Sequence, residues 1–156
     1  MEYKMKIRCK ENNIHNFINN DIYLYLKEII HLDDGILSIT VDKEYNVYTV
    51  KYNKKGFLEF LICDDNYSFL EYPVFYLSVF FDIIDYKVSK YWENIHDPIF
   101  DSNKKYINKI FSFKEWNKSN LFYENLVNCS VKEKNTFIKY KKQIDEEFFN
   151  DEYLQQ

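Results

Sequence analysis

The chain of 156 residues has no alanine, two glycines, two prolines and one arginine, Arg8. Phosphate-binding loops need several glycines close together, whereas Gly35 and Gly56 stand alone, so the common nucleotide-binding loops are excluded. Arginine is the main side chain that forms bidentate hydrogen bonds to phosphates and base edges. A single arginine among dispersed lysines argues against nucleic-acid binding, and only the lysine-rich segment 132–142 leaves room for a local basic patch.

Cysteine and long apolar runs are equally sparse. Cys9, Cys63 and Cys129 lie far apart, and neither a CxxC pair nor a histidine at zinc-ligand spacing accompanies them. We therefore predict reduced thiols, no disulfide framework, no metal and no cofactor. The longest uncharged run in the most apolar stretch, residues 72–81, has ten residues, whereas a membrane span needs about 20. The charged start lacks an apolar signal segment, so we expect a cytoplasmic protein.

No catalytic motif is present either. The patterns GxSxG and HExxH are missing, and the three histidines are scattered along the chain. Asp82 and Asp85 have a spacing that on a helix would suit a metal or an acid–base pair, but no histidine or third acid stands at a matching position. We therefore predict no catalytic residue and no enzymatic activity, and we interpret this acid pair as part of a solvated surface.

The chain is rich in aromatic residues, which make up 20% of it, with 15 tyrosines and 14 phenylalanines. AT-rich codons specify Phe, Tyr, Ile, Asn and Lys, so genomic composition accounts for part of this excess. The length and the 46% hydrophobic content indicate one globular domain over residues 1–156. Its end, from about residue 149, is predicted to be a short exposed acidic tail.

Residues with alternating polarity predict an antiparallel β-meander. Apolar and charged side chains alternate over residues 5–10, which indicates a first strand. Three further runs, at 36–41, 47–52 and 57–63, each place apolar residues on one face, and in the last of them these are Leu58, Phe60 and Ile62. Because the connections between the runs are short, we predict about three to four antiparallel strands.

Apolar residues spaced three or four apart predict several helices. The first spans 14–29, with Asn12 or Asn13 as its N-cap, a possible break at 19–21, and Gly35 in a left-handed turn after it. After Pro73, an apolar stripe predicts a central, largely buried helix over about 73–93, with a strand over Tyr72 to Phe81 as the alternative. That stripe consists of Val74, Leu77, Phe80 or Phe81, Ile84 and Val88.

Shorter apolar patterns indicate helices near 102–111 and near 121–127. A final amphipathic helix carries Phe137, Tyr140, Ile144 and Phe148. The predicted fold class is therefore α+β, with an antiparallel meander packed against several helices and the helix at 73–93 in the centre.

The negative charge is concentrated in the middle of the chain. Residues 56–101 carry two lysines against nine acids, whereas 1–55 carry nine basic residues against eight acids and 102–156 carry ten against eight. Aromatic residues are interleaved with the nine acids, and this combination suits an interface with a basic protein. The aromatic rings would supply buried contact area, and the acids would attract the basic partner and speed association. The competing interpretation is that the aromatic residues fill the core and the acids are merely solvated. The predicted partner-binding residues are Asp64, Asp65, Glu71, Asp82, Asp85, Tyr86, Tyr91, Trp92 and Glu93.

The segment Tyr72-Pro-Val-Phe to Ser89-Lys-Tyr-Trp-Glu93, centred on Asp82-Ile-Ile-Asp85, occurs in a small acidic chain without an active-site motif. In this overall character the chain resembles the immunity proteins of bacterial contact-dependent growth inhibition and related polymorphic toxin systems. Those proteins share no single fold or motif, so no functional residue carries over. The resemblance implies a cytoplasmic protein that binds one cognate toxin, often a nuclease with a basic cleft, and blocks it.

Two other function classes remain open from the sequence. The chain would be a structural or regulatory subunit if it self-associates without any partner. It would be a small enzyme with an unrecognised site if a pocket lined by His31 or His96 also gathered acids with perturbed pKa values.

Overall fold

The computed structural model describes residues 5–66, 73–87, 89–94, 110–118 and 121–154. Over these residues the chain forms an α+β fold, as predicted. The strands are β1 (Met5–Cys9), β2 (Glu44–Asn46), β3 (Thr49–Tyr52), β4 (Leu58–Cys63), β5 (Pro73–Leu77), β6 (Phe81–Tyr86), β7 (Glu93–Asn94) and β8 (Ile110–Ser112). The α-helices are α1 (Tyr23–Ile29), α2 (Lys114–Asn117), α3 (Phe122–Val127) and α4 (Val131–Leu154), with short 3-10 helices at Ile14–Phe17 and Ser78–Phe80.

The described strands form two antiparallel sheets. One has three strands in the order β2-β1-β6, and the other has five in the order β5-β4-β3-β8-β7. Strands β3, β4 and β5 are neighbours in chain order, so a meander is present, but it begins at residue 49 rather than 36. The predicted first strand at 5–10 is β1, which lies in the other sheet.

The predicted strand at 36–41 is wrong. Its only bridge within the described part of the chain joins Ile36 to Asn13. The Leu37 N–H donates to the Asn12 carbonyl (2.8 Å), and the Asn12 side chain donates to the Ile39 carbonyl (3.0 Å). The alternating apolar residues Leu37 and Ile39 are buried, but a local loop supplies their hydrogen bonds, so no sheet ladder forms.

The five-stranded sheet separates two hydrophobic cores. Along β4, Phe60 and Ile62 are buried in the core shared with the three-stranded sheet and α1. Leu61 is buried in a second core, which helices α2, α3 and α4 cover. The predicted common face of Leu58, Phe60 and Ile62 is confirmed, since Leu58 also packs against the first core. Because β4 is buried on both faces, the fold has a sheet, a core, a second sheet, a second core and a helical layer.

The predicted central helix at 73–93 is wrong. Pro73–Leu77 is strand β5, paired with β4, and Phe81–Tyr86 is strand β6, paired with β1, with the 3-10 turn Ser78–Phe80 between them. Both strands are rich in β-branched and aromatic residues, which favour a pleated sheet. Strand β5 is apolar at every position because Val74 and Tyr76 contact the first core whereas Phe75 contacts the second, and such a continuous apolar run imitates a buried helix.

The same segment contains a β-bulge. Ile7 pairs with Ile83 and Lys6 pairs with Asp85, which leaves Ile84 as an extra residue without a partner opposite it. Leu77 and Phe80 of the predicted stripe are buried, whereas Ile84 is 40% exposed. Val88 lies outside the described residues.

The helical prediction for residues 14–29 is confirmed in its split form. A 3-10 helix at Ile14–Phe17, capped by the Asn13 side chain, precedes α1. Gly35 has a φ of +69°, and a Cβ there would lie 2.8 Å from the His15 ring and 2.9 Å from Ile14. A glycine is therefore required at this left-handed turn, as the sequence indicated.

The C-terminal helices follow the predicted pattern. Helix α3 forms where it was expected, and α4 buries Phe137 and Ile144 in the second core. The predicted helix near 102–111 lies mostly outside the described residues, and its end, Ile110–Ser112, is strand β8. The backbone of α4 continues to Leu154, so residues 149–154 are helical, and the exposure of their side chains lies outside the described part. Among the described residues, no helix is long and apolar enough to span a bilayer.

Candidate protein-binding surface

The carboxylates of Asp64 and Asp65 accept hydrogen bonds from other side chains of the same chain. Asp64 is 4% exposed and accepts a hydrogen bond of 2.6 Å from the Tyr76 hydroxyl. Asp65 accepts hydrogen bonds from Thr40 (2.6 Å), Lys43 (2.5 Å) and Tyr45 (3.0 Å). Two of the nine predicted contact residues therefore tie the loop before β2 and strand β5 to the end of β4.

The pKa values in this cluster follow from the same contacts. Partial burial acts to raise the pKa of Asp65, but the hydrogen bonds from Lys43, Thr40 and Tyr45 outweigh it and hold that pKa below its usual value. Burial, together with the hydrogen bond to Asp64, raises the pKa of Tyr76. The Asp65 carboxylate is thus charged and hydrogen-bonded within the molecule, which indicates a structural role for it.

Asp82 and Asp85 lie on the solvent side of β6, opposite basic residues of β1. The register pairs Asp82 with Arg8 and Asp85 with Lys6, and the Asp82 carboxylate is 3.5 Å from the Lys10 ammonium. On the other side of β1, Arg8 forms an ion pair with Glu44 of β2 at 3.1 Å. This face of the three-stranded sheet carries both signs of charge, so the two acids do not form an acidic patch by themselves.

The aromatic pair before β7 packs against the helical layer. Tyr91 is half-buried and meets the Tyr140 ring of α4 edge-on, with the ring centroids 6.3 Å apart. Trp92 packs against both cores. These rings therefore serve largely as internal packing, which is the competing interpretation named above. Burial and a hydrogen bond to Glu115 raise the pKa of Tyr140 to about 12.

The structure gives fewer contacts for the remaining predicted contact residues, which are Glu93, Tyr86 and Glu71. Glu93 is exposed on β7. The backbone of Tyr86 pairs with Met5 in the sheet, and its side chain lies outside the described residues, as does all of Glu71. Of the predicted contact residues whose side chains the structure describes, Asp82, Asp85 and Glu93 reach the surface, Asp64 is buried, and Asp65, Tyr91 and Trp92 are half-buried.

A different segment combines exposed apolar side chains with acids. Between residues 18 and 36, five large aliphatic side chains are 42–73% exposed: Ile18, Leu24, Ile29, Leu32 and Ile36. The same segment carries four exposed acids against one lysine, namely Asp21, Glu28, Asp33 and Asp34 against Lys27. We call the exposed side chains of residues 18–36 the α1 surface. Exposed apolar side chains that form one contiguous patch commonly mark a binding site.

Main-chain contacts hold the parts of the α1 surface together. The Gly35 N–H donates to the Leu32 carbonyl (3.1 Å), and the Ile14 N–H donates to the Gly35 carbonyl (2.9 Å). The loop that carries Leu32 and Ile36 is therefore folded back against the 3-10 helix that precedes Ile18. The Asp34 side chain stabilises this turn by accepting a hydrogen bond from the Ile36 N–H (3.0 Å).

The sequence interpretation missed the α1 surface, because the prediction of a helix over 14–29 with a possible break at 19–21 did not indicate which of its apolar side chains would be exposed. The break before α1 rotates the two halves independently, so that Leu26 is fully buried whereas Ile18 is 64% exposed. A signal was available, since the acids Glu28, Asp33 and Asp34 are interspersed among the apolar residues of the segment 28–36.

Catalytic geometry is not evident in the described part of the chain. Within those ranges, no group of three or more His, Cys, Asp or Glu side chains is placed to hold a metal ion. His15 is exposed and its Nδ1 lies 2.9 Å from the Tyr23 hydroxyl, His31 is exposed, and His96 lies outside the described residues. Comparison of the chain with protein-family models, with curated proteins and with solved structures finds no match.

Proposed function

We propose that the chain is a stoichiometric protein inhibitor, an immunity protein or antitoxin that acts in the cytoplasm by binding and neutralising one cognate toxin. The observation that carries this proposal is the α1 surface, where exposed aliphatic and acidic side chains share one segment. Aliphatic contacts supply the area that slows dissociation, and acids accelerate encounter with a basic partner. A toxin with a basic cleft, such as a nuclease, has the complementary charge.

The proposal moves the expected interface away from the acidic middle of the chain. Asp64 and Asp65 are satisfied internally, and Asp82 faces Lys10 and Arg8. By contrast, the α1 surface carries a local excess of acids, and within the described part of the chain Glu28 alone of its four acids forms an ion pair, with Lys55 at 3.6 Å. The electrostatic attraction for a basic protein is therefore expected to come from Asp21, Asp33 and Asp34.

The direct test uses the purified product of the gene immediately upstream as the toxin. Equimolar inhibitor should abolish its activity, and co-expression should rescue growth. The triple variant Asp21→Asn, Asp33→Asn, Asp34→Asn should fold normally, because exposed carboxylates contribute little to stability. It should associate about tenfold more slowly at low salt, and this difference should shrink near physiological salt, where the Debye length is about 8 Å.

The matched control is Asp82→Asn, Asp85→Asn, Glu93→Gln, which changes the net charge by the same amount on the face that the sequence first indicated. Its association rate should remain within about twofold of wild type. If the control slows association and the α1 triple does not, the interface lies on the middle segment instead. If equimolar protein leaves the toxin active, the proposed function is wrong.

A further inference from the structure

A pocket of about 560 Å³ lies among helix α1, the loop that follows it, and strands β3, β4 and β5. Most of the residues that line it are aliphatic or aromatic, and they include Ile29 at the end of α1 and Val74 and Leu77 of β5. Ile29 is 42% exposed whereas Leu77 is 4% exposed, so the pocket extends from the surface into the interior. Sites for small molecules typically have such an apolar lining and a volume of about 300–1,000 Å³.

The two charged side chains that line the pocket neutralise each other. The Lys51 ammonium lies 3.5 Å from the Glu59 carboxylate and 4.0 Å from the centre of the Phe75 ring. These two charged side chains are only 27% and 17% exposed, respectively. A charged ligand would lose its hydration and would also compete with this ion pair, so the pocket favours an uncharged ligand.

A tyrosine hydroxyl in the lining has a proton to donate. The Tyr25 hydroxyl accepts a hydrogen bond from the Asn53 amide at 3.1 Å, and both side chains line the pocket. A phenolic hydroxyl can accept one hydrogen bond and donate another. Within the part of the chain that the structure describes, no side chain or carbonyl accepts the Tyr25 proton. A ligand with a carbonyl oxygen would supply that acceptor.

We propose that this pocket binds a small, uncharged, mostly apolar molecule that carries one hydrogen-bond acceptor, such as an aromatic ketone. The apolar body of the ligand packs against the aliphatic and aromatic lining, and its oxygen accepts the Tyr25 proton. A small number of placed polar groups in an apolar pocket is the usual arrangement for fixing the orientation of such a ligand. The inference does not depend on the proposed function, because it rests on the pocket and not on the charge of the α1 surface.

The probe is prodan, an uncharged naphthalene ketone whose fluorescence shifts to shorter wavelength in apolar surroundings. Prodan should bind the folded wild-type protein saturably, with one molecule per chain. The variant Ile29→Glu should bind it about tenfold or more weakly, because the substitution places a carboxylate in the apolar lining. The matched control is Leu24→Glu, on the same helix and 73% exposed but outside the lining, which should bind prodan as wild type does.

The variant Tyr25→Phe tests the hydroxyl separately. It keeps the ring that stacks on Phe57, with the ring centroids 5.0 Å apart, and it removes only the donor. Prodan should bind this variant about threefold to tenfold more weakly, which is the effect of losing one neutral hydrogen bond. The dimethylamino-naphthalene that lacks the ketone should bind wild type and Tyr25→Phe equally. Equal prodan affinity of the two proteins would contradict the proposed hydrogen bond.

Nuclear Overhauser contacts then locate the bound probe. The naphthalene protons of prodan should contact methyl groups of Leu37, Val74 and Leu77, which line the pocket. The proposal is overturned if prodan does not bind the folded protein saturably, or if Ile29→Glu binds it normally. It is also overturned if Leu24→Glu weakens binding as much as Ile29→Glu, or if the methyl contacts fall only on residues outside the lining, since either result would place the probe on the exposed surface.

Discussion

At the scale of single residues, the acids of this chain differ in the hydrogen bonds and ion pairs that their carboxylates form. Asp65 accepts hydrogen bonds from three side chains, whereas Asp82 has one ion pair, to Lys10 at 3.5 Å, and its side chain is 68% exposed. Hydrogen bonds to a partly buried charged group stabilise a fold far more than an exposed ion pair does. The two aspartates should therefore respond differently to removal.

We expect Asp65→Ala to lower the free energy of unfolding by about 2 kcal/mol, because it leaves the Tyr45 and Thr40 hydroxyls without their acceptor. Asp82→Ala should change it by less than about 1 kcal/mol. Urea denaturation at neutral pH measures both, and equal effects would contradict the structural role of Asp65.

The difference in stability between wild type and Asp65→Ala should disappear at acidic pH. The folded state lowers the pKa of Asp65, so its contribution is complete above the usual aspartate pKa of about 4 and is lost as pH falls through the lowered value. Wild type and Asp65→Ala should therefore converge in stability at acidic pH, where the wild-type carboxylate becomes protonated.

At the scale of elements, strand β6 shows how a bulge decides burial. Ile83 faces Ile7 across the sheet and packs against the first core, whereas Ile84, its neighbour, is the extra residue of the bulge and is 40% exposed. If residues 73–93 were the single helix that the sequence predicted, both isoleucines would lie close to its buried stripe.

The pair Ile83→Asp and Ile84→Asp tests this arrangement. We expect Ile83→Asp to cost about 3 kcal/mol or more, since it places a charge against the core, and Ile84→Asp to cost less than about 1 kcal/mol. Thermal and urea unfolding of both variants provide the measurement. A severe loss of stability in Ile84→Asp would show that this side chain is buried and that the bulge is misplaced.

At the scale of the whole molecule, many tyrosine hydroxyls connect the layers. Tyr48, buried in the second core, donates to Asp145 of α4 (2.6 Å), and Tyr76 donates to Asp64. Burial, followed by the charge of Asp145, raises the pKa of Tyr48, and that of Tyr140 rises to about 12. The folded state therefore holds several phenolic protons more tightly than the unfolded chain does.

Alkaline pH should consequently destabilise the protein. The unfolded tyrosines lose protons near pH 10, and the folded ones retain theirs, so the free energy of unfolding should fall as pH rises from about 10 toward 12. Urea unfolding across this range measures the slope, and Tyr48→Phe should make it shallower. A stability that stays constant above pH 10 would mean that these hydroxyls titrate normally.

The sequence by itself determined the features that depend on local chemistry. An asparagine caps the first helical turn (Asn12 or Asn13 from the sequence, Asn13 in the structure), Gly35 takes a left-handed conformation, and Leu58, Phe60 and Ile62 share one face of a strand. Each follows from backbone geometry or from the period of one element, which neighbouring residues specify. The α+β class follows from the same periods.

The tertiary structure alone decided whether residues 73–86 are strand or helix and which acids reach solvent. A segment that is apolar at most positions satisfies either period, and here the pairing of β5 with β4 and of β6 with β1 selects strands. Asp64 is internal because Tyr76 reaches it, while Asp33 stays exposed. These outcomes depend on contacts between residues distant in the chain, and local sequence patterns carry no information about such contacts.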